Sequence, residues 1–477
     1  MGWPRLELGV GVVALGGIDL IWTQIADLVD VVEVEPQTIW LPPPWRLDPA
    51  PFGWLTSIDR PLLSHGVGFP VGGTVSPDPA GVRAAAESAR QLGALHWSEH
   101  LSFNQARSGE VIHAGFLLPP ILTEATVEAA VVNIGSYQEQ LDLPFLVETP
   151  ASYLASRPGD LTDGEFVREV GERADCGILL DLHNIWANEL NGRQLVSDFI
   201  KDIPLDRVME LHLAGGFSLG DYYLDAHVGP VPAALLEIAA AVVPVLPNLR
   251  AIIFETVPES VVGLGVPGMR QVLRDLHDLA DLPARAVNAH PPRRPLAAAS
   301  PDATAEREYR LAAYTTRVSD VLPDGDLGAA VLRHLTDQAR LSLVTGAEPE
   351  RLRWMLTRLG KERTDALLAE FLAACPANPW PTEQGLAFAR WFEDHRPTWG
   401  ALAAASPSRV LAVERLRLLG VLNDDADRIR LVSRRRRRFP LAAACAGYRP
   451  TTRAGTRRIA IPGTRSCHAR SPGPGRW

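Results

Sequence analysis

The chain has 477 residues, 46% hydrophobic and 22% charged, with a formal net charge of −9. That length exceeds one compact core and calls for two or three domains, while no apolar run reaches the roughly 18 residues of a membrane-spanning helix. Twelve arginines lie between Arg434 and Arg476, beyond the last acidic residue, Asp427. The body before them is therefore more acidic than the whole, which argues against nucleic acid as a partner.

The N-terminal "MGWPRLELGVGVVALGG" lacks the basic start and cleavage site of a secretory signal, so a cytoplasmic location is expected. From there to about residue 285 one theme repeats: a short apolar run, a polar loop, then an amphipathic or alanine-rich stretch. The runs are "LELGVGVV", "VDVVEVE", "PLLSHGVGF", "LHWSEHLSF", "PFLVETP", "GILLDLHN", "VMELHLAGG" and "AIIFETVPE". Stretches such as "PAGVRAAAESARQLG" and "ATVEAAVVNIGSYQEQL" between them read as helices. Eight strands alternating with helices over this length predict an α/β protein with a (β/α)8 barrel over residues 1–285.

The Pro- and Ala-rich "HPPRRPLAAASPDATAE", residues 290–306, marks residues 286–305 as a linker. Leucine and alanine at helical spacing predict a small all-α domain over 306–432. Residues 433–477 have the Arg, Pro and Gly bias of a disordered tail. The four cysteines (Cys176, Cys375, Cys445 and Cys467) form no C-x-x-C pair, against a disulfide framework or a thiolate zinc site.

The informative residues stand at the strand ends. In "CGILLDLHNIW", residues 176–186, a buried-strand run ends in Asp181, His183 and Asn184. Likewise the third strand ends in His65, the fourth in Glu99 and His100, and the fifth in Glu148. Glu210 and His212 close the seventh, Asp225 and His227 follow it, and Glu255 closes the eighth. The C-terminal ends of barrel strands face one mouth, where such enzymes place their active sites.

Singly, each residue has a plain structural explanation: His65 as a loop histidine, Asp225 as a cap, Glu210 as an outward-facing side chain, His96 and His113 as structural. Together they converge. Seven of twelve histidines lie between His65 and His227, and buried carboxylates beside imidazoles call for a counter-charge that metal ions supply. Imidazole plus carboxylate without thiolate suits iron, manganese or zinc. The donors outnumber the needs of one ion, so two or more ions are expected.

At this point the chain resembles the multinuclear non-haem iron-dependent oxidases, whose best-known relative acts in methanobactin biosynthesis. The resemblance rests on "LLSHGVGFPVGGT", "SEHLSF", "LPPILTEAT", "LVETPASY", "CGILLDLHNIW", "ELHLAGG", "DAHVGPV" and "FETVPE", in order, and covers residues 6 to about 280. It implies a TIM barrel holding two or more irons that activates dioxygen and oxidises a ribosomally made precursor peptide, often at cysteine, with a partner protein presenting the peptide. By motif it implies His65, His100, Glu148, Asp181, His183, Asn184, His212, Asp225, His227 and Glu255 as ligands. Glu148 would bridge two ions, and Glu99 would orient a ligand.

Four departures stand out. "LLDLHN" has His183 where the family has an amide, "ETPASY" has Thr149 for asparagine, and "HLAGG" has Gly216 where a polar side chain is usual. "VEVEPQT" lacks the usual acid–amide pair. "LLAEFLAACPANPWPTEQGLAFARWF" faintly resembles a segment of the family's partner proteins, which would make the helical region a fused peptide-binding partner.

Two other readings remain open from the residues alone. One is a divalent-metal barrel isomerase or phosphoester hydrolase of the xylose-isomerase or endonuclease-like kind, against which the barrel's single lysine, Lys201, weighs. The other is a non-catalytic metal-binding scaffold.

Overall fold

A computed structural model describes residues 5–41, 45–286, 299–346, 361–378 and 381–395. The basic tail expected over 433–477, residues 396–432 and most of the expected linker lie outside the described residues.

Among the described residues, eight parallel strands close into a barrel. They are β1 (Gly9–Val13), β2 (Val31–Val34), β3 (Leu62–Gly66), β4 (Trp97–His100), β7 (Phe145–Glu148), β8 (Gly177–Asp181), β9 (Val208–Leu213) and β12 (Ala251–Phe254). All eight coincide with the apolar runs of the sequence. Both faces of each strand are covered, which is why the runs are continuously apolar rather than alternating; Ile178, Leu179 and Leu180 are wholly buried. β1 pairs with β12 and with β2, so the chain's first strand closes the ring.

Among the described residues three antiparallel strand pairs lie outside the barrel, none expected from the sequence: a short one, Trp40–Leu41 with Arg46–Leu47, and two longer hairpins. β5 (Phe103–Ser108) pairs antiparallel with β6 (Glu110–Leu118), and β10 (Gly216–Leu219) with β11 (Tyr222–Asp225). The run "LHWSEHLSF" is thus two strands, because the chain leaves the barrel at Leu101 and Ser102. "GILLDLHN" is also divided. β8 ends at Asp181, whose side chain accepts the Asn184 N–H at 2.7 Å and caps a helix, Leu182–Leu190. His183 and Asn184 therefore sit on the first helical turn, folded back over the mouth, and not on the strand.

The expected linker gives way to a helix at Pro301, five residues before the expected domain start, because Ser300 accepts the Ala303 N–H and Pro301 is pre-set for the first turn. This helix, Pro301–Thr315, belongs to the same compact unit as the barrel, which spans Met1–Arg340 and Leu372–Pro379. Its Leu311, Ala312 and Tyr314 share one apolar cluster with Phe103 and Leu118 of the first hairpin and Leu224 of the second. Polar pins reinforce the packing. Glu308 accepts the Thr74 N–H at 3.1 Å, Thr304 and Thr123 share a 3.0 Å hydroxyl contact, and Arg307 forks onto Asp160 at 2.9 and 2.6 Å. Residues 301–340 are therefore integral to the roof over the hairpins. In the second unit, Phe371, Phe388 and Trp391 pack their rings at centroid distances of 4.9–6.1 Å.

Among the described residues, no helix is long and apolar enough to cross a membrane.

Candidate metal centre

Strand register assembles the centre. His100 stands opposite Glu148 across the β4–β7 pair, and Asp181 opposite His212 across β8–β9. In a parallel pair, partners in register share a face. Residues far apart in sequence are thereby driven into contact inside the barrel.

Glu148 lies at the middle. Its Oε2 is 3.2 Å from His65 Nε2 and 2.5 Å from His100 Nδ1. The donor atoms of His65, His100 and Glu148 lie within 4.8 Å of one another, and so do those of Glu148, Asp181, His212 and Glu255. One carboxylate is common to both groups. Beyond them, Asp225 Oδ1 sits 2.9 Å from both His183 Nδ1 and His227 Nε2, and His227 Nδ1 is 3.3 Å from Glu255 Oε1. His227 adopts φ of +52°, an unfavourable backbone for a residue with a Cβ, which the surrounding loop must hold.

Charge is tightly coupled. Burial opposes ionisation of Glu148, but His100 and His65 hold its carboxyl well below the usual range. Conversely, burial disfavours the His100 imidazolium, yet Glu148 pushes the group up to about 9. Burial keeps His65 below its ordinary value, leaving a neutral ring with a lone pair to offer. Asp181 is raised by burial and by the carboxylates of Asp225, Glu255 and Glu148. Here two wholly buried acceptors lack a hydrogen-bond partner, Asp181 Oδ2 and Asn184 Oδ1. Orphaned acceptors beside imidazoles, without thiolate, fit first-row transition ions.

The expected residues do not all play alike. His183, Asn184, Asp225 and His227 fall outside the two groups built on Glu148. Both ring nitrogens of His183 are engaged, by Asp225 at 2.9 Å and by the Tyr223 hydroxyl at 3.3 Å. Asn184 donates to Thr149 O at 3.2 Å. Glu99 points behind His100, accepting the Tyr137 hydroxyl at 3.1 Å and the His100 N–H at 3.2 Å. Gly66 gives it room, since a Cβ there would lie 2.0 Å from Glu99 Oε2.

Two departures acquire a physical reason. A Cβ at Gly216 would meet Tyr223 Oη at 2.8 Å and His183 Nε2 at 3.0 Å, so those side chains already fill the space. Thr149 Oγ1 accepts the Asp181 N–H at 2.9 Å and ties the ends of β7 and β8 together.

Sequence reasoning missed Glu33 and Glu35, and allowed an outward position for Glu210. Glu33 and Glu210 are wholly buried inside the barrel. Glu210 accepts from His96 at 2.8 Å, and Glu33 lies 3.1 Å from His212. Burial pushes Glu33 up to about 8 and Glu35 up to about 7. The available signal was two-residue periodicity: Glu210 shares the facing of His212, and Glu33 interrupts an otherwise apolar strand. His113 lies in the β5–β6 hairpin, where its Nδ1 accepts the Gly115 N–H at 2.8 Å.

Residues 23–257 match the family model described as RiPP precursor modification enzyme MbnB/TglH/ChrH. A UPF0276 protein of Neisseria meningitidis serogroup C is 32% identical over 218 residues, 42% of this chain and 76% of the relative. The chain belongs to this family. A UPF0276 protein of Pseudomonas aeruginosa is 33% identical over 213 residues, covering 44% of this chain and 72% of the relative. Other family relatives are spanned less fully: the chain covers 38% of one from Streptomyces avermitilis, 32% identical over 184 residues or 38% of this chain. It covers 64% of one from Anaeromyxobacter sp., 34% identical over 188 residues or 39% of this chain. Among solved structures, D-psicose 3-epimerase from Clostridium cellulolyticum is similar at TM-score 0.38 and 11% identity, over 57% of this chain and 96% of that one. Endonuclease IV from Thermus thermophilus is similar at TM-score 0.36 and 15% identity, over 58% and 100%.

Proposed function

We propose that the protein is a multinuclear, iron- and dioxygen-dependent oxidase that modifies a ribosomally synthesised precursor peptide, at cysteine residues, in natural-product biosynthesis. The observation that carries this reading is the sharing of Glu148 between two donor groups, beside a rim open to solvent. A carboxylate with two histidines on one side and two carboxylates plus a histidine on the other is suited to bridge two ions. His65, His100 and Glu148 would hold one iron; Glu148, Asp181, His212 and Glu255 would hold a second. Asp225 and His227, with His183 and Asn184 behind them, complete the ligand set on the far side.

Iron bound there would supply the redox chemistry of dioxygen activation. The chain's own residues do the rest. His183 fixes Asp225, Thr149 fixes the backbone of Asp181, and Glu99 with Tyr137 holds the His100 segment. Such outer partners set ligand orientation and basicity. His100, Asp225 and His227 keep 16%, 15% and 24% of their side-chain surface, so a peptide side chain can approach from the rim. Peptide presentation by a fused partner, expected over residues 306–432 and confined by the barrel's own unit to the part beyond residue 340, belongs to the same proposal; a second site on one chain raises the effective concentration of a weakly held peptide.

The test is metal analysis and iron spectroscopy on protein purified without oxygen, for wild type and Asp181→Ala, followed by dioxygen uptake with cysteine-containing peptides. Two or more irons per chain, depleted in the variant, with peptide-dependent uptake is the expected result. Stoichiometric zinc or manganese without iron would overturn it in favour of the isomerase or hydrolase reading.

A further inference from the structure

Beneath the mouth lies a second polar layer that the proposed chemistry does not use. It comprises Glu33 of β2, His96 just before β4, and Glu210 and His212 of β9. All four are wholly buried. His96 Nε2 donates to Glu210 Oε2 at 2.8 Å. This leaves Glu210 Oε1 facing His212 Nε2 at 3.9 Å, while Glu33 Oε1 faces the same nitrogen at 3.1 Å. The other ring nitrogen of His212, Nδ1, is turned to Glu255 at 3.1 Å.

Beyond that Glu33–His212 contact, Glu33 Oε2 and Glu210 Oε1 have no hydrogen-bond partner. The three side chains share one small space: ligand atoms of Glu33, Glu210 and His212, one from each, lie within 4.8 Å of one another. Interior layers of such barrels are ordinarily filled by branched apolar side chains. Two carboxylates buried with one oxygen each left unmatched cost far more than that filling, unless a positive charge lies between them.

We infer that Glu33, Glu210 and His212 form a second, sealed site for a divalent first-row transition-metal ion, with His96 holding Glu210 in position. Two carboxylate oxygens and an imidazole nitrogen select iron(II), manganese(II) or zinc(II) over the alkaline earths, which prefer oxygen alone. His212 belongs to both layers, with Nε2 toward the lower and Nδ1 toward the upper; holding an ion on each side, it would release its N–H proton to solvent and bridge them as the imidazolate. An ion in the lower layer fixes the ring's tilt and thereby sets how its upper nitrogen meets Glu255. With no exposed side chain, the lower ion has no path to a peptide; it is a structural ion beneath a working one.

The test uses full-length protein prepared without oxygen and loaded separately with iron(II), manganese(II) or zinc(II). Crystals of each give anomalous difference maps at the metal's edge, and ions per chain are counted in solution. A peak enclosed by Glu33, Glu210 and His212 is expected. The double variant Glu33→Gln, Glu210→Gln should lose that peak and one ion per chain while keeping the peak at His65, His100 and Glu148. Mouth peaks without a lower peak, for all three metals, would overturn the inference and leave the proposed oxidase standing. A lower peak beneath an empty mouth would do the reverse, and no peak in either layer would sink both. If the double variant fails to fold, the wild-type maps decide.

Discussion

At the mouth, His100, Asp225 and His227 retain between 15% and 24% of their side-chain surface; one layer below, Glu33, His96, Glu210 and His212 retain none. The two layers use the same side-chain chemistry and share His212. Their difference is access. A ligand set open to the rim can meet a substrate and exchange water, whereas a sealed one can only balance charge and hold geometry. Residue type alone therefore cannot separate a working site from its support; burial and the direction of each ring nitrogen can.

The strongest way to break this comparison is Glu148→Gln. Because Glu148 is common to both upper groups, metal affinity at the mouth should fall by roughly 100-fold or more, and the proposed dioxygen uptake should be lost with it. Equilibrium metal binding checks it, and an unchanged ion count would remove Glu148 from the centre.

Gly66→Ala probes the wall between strand and ligand. Its Cβ would sit 2.0 Å from Glu99 Oε2 and 2.9 Å from Trp97, and overpacking of this kind costs about 1–3 kcal/mol. A lowered denaturation midpoint with an unchanged denaturant slope is the expected result. Tyr137→Phe should act more mildly on stability, by about 1–2 kcal/mol, since it removes one hydroxyl that spans Glu99 and Phe69 O. Metal affinity should fall about tenfold if Glu99 orients the His100 segment; affinity equal to wild type would confine Glu99 to a packing role.

The smallest effect sharpens the comparison from outside it. Glu308 in the roof is also a buried carboxyl, raised to about 7 mainly by burial, against which Thr74 donates two hydrogen bonds. Among the described residues, no imidazole or second carboxylate faces it, unlike the groups in the barrel. Its folded-state value lies above the unfolded one, so the stabilisation is complete below about 4.5 and is lost as pH rises through 7. Glu308→Gln should flatten that decline. Stability measured from pH 4 to 8 shows it, and a decline as steep as wild type would assign the slope to other groups.

Much of this was legible in the chain. The eight barrel strands announced themselves because parallel strands buried on both faces must be continuously apolar. The polar residues ending those runs were conspicuous for the same reason, and His65, His100, Glu148, Asp181, His212 and Glu255 do meet at one mouth. The placement of His183 was harder to read. An aspartate after an apolar run can end a strand or cap a helix, and only the Asn184 N–H within 2.7 Å of its carboxylate decides. The hairpins were hidden because Phe103–Ser108 and Tyr222–Asp225 are partly exposed strands whose packing partners, such as Leu311 and Ala312, lie far along the chain.

The sequence by itself determined that a parallel barrel forms and that imidazoles and carboxylates gather at its C-terminal end, since periodicity and strand order are local properties. Tertiary structure alone decided that Glu33 and Glu210 turn inward, that His212 serves two layers, and that residues 301–340 join the barrel's own unit. Those outcomes follow from register and ring closure, in which each strand's facing is fixed by neighbours distant in the chain.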